Sequence, residues 1–258
     1  MGGHVGDAGC RRPPQCGVCP SHAQKHDLKP WRQQPWVIPP HAKAECVCAM
    51  EDVREVYTRP DDPQRPQVGM DETSQQRVAE TRRPIPAAPG QPERVDDEYE
   101  RQGTANLFMV FEPLAGQRRV QVTERRTAVD VAHLLREVVD EPYPQAENIV
   151  LVMDTRNTHT PASLSEAFAP AAARRLTERL EMHDTPKHGR WLEMAETELS
   201  VLATHCLNRR IPAPSLLRRE VAAWERPRKA AECRVDWRVT TENARIKLKR
   251  LYPSIQLG

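Results

Sequence analysis

The chain has 258 residues and a formal net charge of +2, with 38% hydrophobic and 29% charged residues. This composition describes a soluble globular protein with room for a sizeable core. It excludes a membrane-spanning protein, since no apolar run is long enough to cross a bilayer, and the opening MGGHVGDAGCRRPP lacks the apolar stretch of a signal peptide. The expected compartment is the cytoplasm. Seven cysteines, an odd number without a regular framework, fit reduced thiols better than disulfides. The near-neutral total hides an asymmetry: Arg209 to Leu251 holds 13 Lys/Arg against 5 Asp/Glu, an excess of 8 positive charges that leaves the remainder net negative by about 6. Such a segment suits the backbone of a polyanion, and equally a solvated helical face.

Residues 1–40 are rich in Pro, Gly, Cys and basic residues without a sustained period, which predicts a poorly ordered lead-in. Cys16, Cys19, His22 and His26 form C-x2-C-x2-H-x3-H, but two residues between the pairs leave no room for the dozen or so that a zinc finger needs to build its hairpin and helix. Ala42 to Tyr57 has apolar positions at helical spacing and is ended by the Pro-rich TRPDDPQRPQ. QVGMDET reads as a short strand ending on Asp71. The region from Ser74 to Thr104, with PIPAAPGQP and RVDDEYERQ, reads as loops and an edge strand.

ANLFMVFEPLAGQRRVQVTERR predicts a hairpin: an apolar strand, a Pro-Leu-Ala-Gly turn and an alternating, half-exposed strand. Thr127 to Val139 predicts a helix with Val131, Leu134, Leu135 and Val138 on one face. NIVLVMDTRNTHTP then runs as buried-type aliphatics that end on an acid, Asp154. A central strand covered on both faces explains the run. Asp154 at its carboxyl end is either a ligand-holding group, as that edge of an α/β sheet favours, or a cap for the helix that Pro161 could open. PASLSEAF and AAARRLTERL predict helices, LEMHDTP a short strand, WLEMAETELSVLATHCL an amphipathic helix and PSLLRREVAAWERPRKAAE another, before VDWRVTTENARIKLKRLYP closes the chain. The fold class is therefore mixed α/β, with acids at strand ends.

Hard divalent cations prefer carboxylate oxygens, and a two-metal phosphoryl-transfer site draws its acids from separate elements. Asp71 and Asp154 stand side by side if their strands are neighbours. On WLEMAETELSVLATHCL, at 100° per residue, Leu192, Ala195, Leu199, Leu202 and Cys206 form the apolar face. Glu196 falls at its border, Glu198 at the opposite border, and Glu193 farther out, so periodicity prefers Glu196 only slightly.

The ordered series VGMDET, GTANLFMVFEPLAGQRRVQVTERRTAVDVAHLLREVV, IVLVMDTRNTHTPASLSEAF, TPKHGRWLEMAETELSVL, RRIP and VDWRVTTENARIKLKRLYP resembles the insertion-sequence-630 group of bacterial transposases, relatives of the mariner superfamily. The resemblance covers roughly Lys29 to Pro253. It implies a ribonuclease-H-like mixed sheet flanked by helices, with a basic helical C-terminal extension. It implies a DDE-type endonuclease that cuts transposon ends by hydrolysis and joins their 3′ hydroxyls to target DNA. Asp71, Asp154 and Glu196 match the three acids, which would coordinate Mg²⁺ or Mn²⁺, two ions together. The implied partners are double-stranded DNA, both transposon ends and target, and a second copy in a homodimer; no membrane and no small-molecule substrate are implied. The implied place is the cytoplasm of a bacterium, at the nucleoid. The implied organisation is a lead-in and remnant DNA-binding region at 1–40, the catalytic domain at 41–208 and the basic extension at 209–258. His159, Lys187 and His188 flank the second and third acids, where either DNA-phosphate contacts or ordinary surface and capping roles suit them.

Departures from the family pattern accompany the match. Only SHAQKHDLKPWRQQPWVIPP resembles the tail of the family's N-terminal helix-turn-helix region, so major-groove readout is in question. Thr155 and Glu193 stand where Asn is common, Arg190 where a small residue is, and Asp184 where an aromatic is. Pro227 lies inside a helical stretch, where proline costs on the order of 3 kcal/mol. Together these point to a decaying copy, and the alternative function is an inactive remnant that binds DNA or the intact transposase.

Overall fold

A five-stranded sheet in the order β3-β2-β1-β4-β5 organises the chain. In the computed structural model, residues 44–154, 161–186 and 189–252 are described, and all of them belong to one compact unit. The strands are β1 (Gln67–Glu80), β2 (Tyr99–Glu112), β3 (Gln117–Thr123), β4 (Ile149–Asp154) and β5 (Leu180–Thr185). β1 to β3 are antiparallel, whereas β4 lies parallel to β1 and β5 parallel to β4. The helices are α1 (Ala44–Thr58), α2 (Ala128–Asp140), α3 (Ala162–Ala167), α4 (Pro170–Glu178), α5 (Met194–Leu202), α6 (Pro214–Ala230) and α7 (Thr241–Lys247). No described helix is long and apolar enough to cross a membrane.

Helices cover both faces of the sheet. On one, Val68, Met70, Leu151 and Met153 pack with Val131, Leu134, Leu135 and Val138 of α2 and with Leu164 and Leu176 of α3 and α4. On the other, Val150, Val152, Leu107 and Met109 pack with α1, α5 and α6, and Leu251 near the end of the chain joins the same core. β4 is buried along its whole length, as its unbroken aliphatic run predicts. α2 starts where expected: Thr127 and Asp130 form a reciprocal capping box, which satisfies N–H groups that an open first turn would leave without partners.

The segment read as loops and an edge strand between Ser74 and Thr104 carries strand at both ends, Ser74 to Glu80 in β1 and Tyr99 to Thr104 in β2. β1 does not end at Asp71 but continues to Glu80, paired with β2 through Glu80 opposite Tyr99, with a register shift between Gln76 and Val78. Because this arm projects beyond the core, neither face is buried, and the alternation that marks a half-buried strand is missing from its sequence. Arg210 holds its base, donating to Glu80 Oε2 at 2.6 Å and to the Glu98 carbonyl at 2.9 Å.

β3 is an edge strand, and α6 covers it: Glu225 Oε2 accepts the Val120 N–H at 3.2 Å, which occupies a donor that an open edge would offer to another chain. α6 runs through Pro227 to Ala230. The cost expected there falls in the last turn, where Ala231 N–H still reaches the Pro227 carbonyl at 3.0 Å. Arg228 follows directly, bonded to Glu198 at 3.0 Å and lying 5.1 Å from the Trp224 ring centre. The helix predicted from Trp191 to Leu207 is three pieces: a 3-10 turn (Arg190–Leu192), α5 and a π turn (Ala203–Leu207).

Candidate active site

β1 and β4 carry Gly69 beside Val152 and Met70 beside Met153. Asp71 and Asp154 therefore occupy the next step at one level, on strands about 4.8 Å apart. Alternation fixes the face they use. Met70 and Met153 point into the α2 side, Val152 into the α5 side, and Gly69 abuts Ala195 of α5. Both acids thus face α5. They are buried, at 1% and 9% exposure, and Asp154 ends its strand opposite Thr185 of β5. The capping alternative for Asp154 fails, because the N-cap position of α3 is Pro161.

The lack of a side chain at Gly69 brings α5 close. A Cβ placed there would stand 3.4 Å from both Cβ and N of Ala195, so the first turn of α5 rests on the strand two residues before Asp71. Glu196 follows Ala195 in that turn and is half-buried.

The neighbouring glutamates differ from the sequence expectation. Glu193, expected farther out, is fully buried at 0% exposure. It occupies the N-cap position, outside α5, so a helical wheel drawn through it assigns a phase that the backbone does not have. Tyr57 of α1 lies against this point: its hydroxyl oxygen accepts the Met194 N–H at 3.5 Å. Burial, opposed by that bond and reinforced by the Glu193 charge, raises the tyrosine well above its usual range. Glu198 is also buried, at 3%, but is held by Arg118 Nε at 2.9 Å and Arg228 Nε at 3.0 Å. Its carboxylate is engaged by two guanidinium groups. Sequence reasoning missed Tyr57 and the Arg118–Glu198–Arg228 contact, whose partners lie on distant elements.

Among the described residues no three His, Cys, Asp or Glu side chains converge closely enough to hold a metal ion. The structure brings Asp71 and Asp154 together and sets Glu196 on the adjoining helix turn. The donor chemistry suits a hard divalent cation: two carboxylates fixed side by side on strands, with a third on a longer, half-exposed side chain. Two ionised carboxylates brought close inside a protein would repel each other, and a shared cation would offset the repulsion. Thr155, His159, Lys187, His188, and the Cys16, Cys19, His22 and His26 cluster lie outside the described residues.

The family model of the DDE superfamily endonuclease matches residues 66–218, a span that contains all three acids. Among solved structures, the chain resembles the mariner Mos1 paired end complex with Mg, at 15% identity over 97% of this chain and 84% of that one, with a TM-score of 0.56. It also resembles the Mos1 mariner paired end complex with Mn, at 15% identity over 88% and 77% with a TM-score of 0.51. A third likeness is to the Mos1 Strand Transfer Complex, at 16% identity over 80% and 61% with a TM-score of 0.51. No curated protein sequence matches the chain. At such identities the structural likeness speaks for the fold, a ribonuclease-H-like mixed sheet with flanking helices. With the family model covering more than half of its length, the chain belongs to the DDE superfamily endonucleases.

Proposed function

We propose that this protein is the catalytic part of an insertion-sequence-630 group transposase, which cleaves double-stranded DNA and joins transposon ends to a target by metal-dependent phosphoryl transfer. The observation that carries the reading is the placement of Asp71 and Asp154 at one level on adjacent parallel strands, facing the helix turn that bears Glu196. Asp71, Asp154 and Glu196 would hold one or two Mg²⁺ or Mn²⁺ ions. Such ions, when bound, polarise a phosphoryl oxygen and favour deprotonation of the attacking water or 3′ hydroxyl.

The chain's own residues supply position and shielding. Asp71 and Asp154 are anchored by a sheet that runs beneath them, so their carboxylates start close to their working geometry. Ala195 against Gly69 sets the height of Glu196 over the strand. Residues 41–208 form the catalytic region in a functional sense, while the extension from 209 onward shares its core through Leu217, Val221 and Leu251. The basic character of that extension supports contact with the DNA backbone. The Mos1 complexes, named for paired transposon ends and strand transfer, support transposon-end DNA as a partner; target DNA and a second copy of this chain are proposed beside it.

A second reading rests on Glu193. A fully buried carboxylate at the mouth of α5, where the family commonly has Asn, adds negative charge near the three acids and supports a remnant that binds DNA without cutting it. Nicking of supercoiled plasmid in Mn²⁺ decides between them. The enzyme reading predicts nicking that EDTA and Asp154→Ala both abolish; absent nicking, or nicking unchanged in Asp154→Ala, leaves the binding remnant.

A further inference from the structure

We propose that Glu198 is a positioning residue for Glu196, and that Arg228 of the C-terminal extension sets this position from outside the catalytic region. The inference rests on the function proposed above, since it assigns Glu196 a metal.

Three parts of the chain meet at the Glu198 carboxylate: α5 itself, β3 and α6. Oε1 lies 2.9 Å from Arg118 Nε of β3 and 3.0 Å from Arg228 Nε of α6, and Oε2 lies 3.4 Å from Arg228 Nη2. Arg118 is fixed in turn: Nη2 donates to the Cys233 carbonyl at 2.7 Å, and the guanidinium stands 5.0 Å from the Phe111 ring centre. The Glu198 and Arg118 side chains are 4% and 0% exposed, so water competes little for these contacts, whereas Arg228 is 25% exposed.

Helix geometry turns this cluster into a device. Residues two apart on a helix point about 200° apart, so Glu198 holds α5 from the side opposite Glu196. Ala195 against Gly69 is the second fixed point. Contact at Ala195 limits how far α5 lies from the sheet but allows it to roll; the hydrogen bonds from Arg228 to Glu198, with the Arg118 guanidinium close beside it, limit the roll. Apolar residues in place of all three of Arg118, Glu198 and Arg228 could fill the same volume at similar stability, but they would not specify the rotation that aims Glu196. Because Arg228 enters from α6, the extension contributes to the geometry of the catalytic helix as well as to its covering.

The test uses the full chain with Arg228→Ala, which leaves Arg118 on Glu198, and Glu198→Gln, which keeps shape but removes charge. Three quantities are measured: Mn²⁺ binding by titration calorimetry, plasmid affinity, and nicking rate well below each variant's melting temperature. The expected result for both variants is Mn²⁺ affinity weakened by about tenfold or more, as for loss of outer residues that orient ligands. Nicking should slow on the order of 10- to 100-fold, with plasmid affinity unchanged and partial recovery in Arg228→Lys. Lowered melting temperature with wild-type Mn²⁺ binding and nicking overturns the proposal, leaving a purely structural cluster. Reduced plasmid affinity with unchanged Mn²⁺ binding also overturns it, making Arg228 a DNA contact. If the wild type binds Mn²⁺ without nicking and Arg228→Ala loses that binding, the positioning role stands and the catalytic function falls. A wild type that binds no Mn²⁺ overturns both.

Discussion

Gly69→Val tests whether the approach of α5 to the sheet sets the site. A Cβ at this position stands 3.4 Å from Cβ and N of Ala195 and 3.8 Å from the Phe111 carbonyl oxygen, so one methyl fills the gap to ordinary contact. Gly69→Ala is therefore tolerated, and its smaller unfolded-state entropy offsets any crowding by about 0.4–1 kcal/mol. Valine adds two γ-carbons roughly 1.5 Å beyond Cβ. They cannot all avoid the backbone of Ala195, and the helix must move away. Overpacking of this kind costs about 1–3 kcal/mol. At about 2–4 °C per kcal/mol for a domain of this size, the melting temperature falls by roughly 2–12 °C. A displacement of about 1 Å at Glu196 would slow nicking on the order of 100-fold. Calorimetric melting and plasmid nicking in Mn²⁺, run on wild type, Gly69→Ala and Gly69→Val, give the comparison. A Gly69→Val protein that melts and nicks as the wild type does would refute the reasoning.

Gly116→Ala probes the docking of the extension. Gly116 has φ +69°, and a Cβ there would meet the Glu232 carbonyl carbon at 2.6 Å and its oxygen at 2.8 Å; destabilisation beyond about 1 kcal/mol is expected in urea melts. Glu181 links stability to pH. Burial pushes its pKa up, but bonds from Arg59, His183 and Arg65 outweigh this and hold it down at about 2, from an ordinary 4.5. The stabilisation is fully present above about pH 4.5 and is lost as pH falls through about 2. Glu181→Gln should therefore flatten the acid limb of a stability–pH profile relative to the wild type, and an unchanged limb would contradict the assignment.

The parts legible in the sequence are those where one physical requirement dominates. β4 reads as a central strand because burial on both faces demands an unbroken aliphatic run, and α2 reads as a helix because Val131, Leu134, Leu135 and Val138 share one buried face. The β2–β3 hairpin is announced by its turn, where Gly116 takes the left-handed conformation. The arm from Ser74 to Thr104 is illegible for the opposite reason: water on both sides imposes no period. The pairing of Asp71 with Asp154 is visible only conditionally, since register is a long-range property that no local pattern encodes. Periodicity fails at Glu193 because the helix begins one residue later, and it cannot identify Glu198 as occupied, since Arg118 and Arg228 come from other elements. A resemblance carried by the order of the motifs supplied what periodicity could not, the choice of Glu196.

The most direct measurement is Mn²⁺-dependent plasmid nicking by Asp71→Ala, Asp154→Ala and Glu196→Ala beside Glu193→Gln, each checked for wild-type folding by circular dichroism. The account predicts that each of the first three, although folded, loses nicking to the EDTA background, and that Glu193→Gln retains it. A folded Asp71→Ala or Glu196→Ala that nicks at the wild-type rate would contradict the three-acid site.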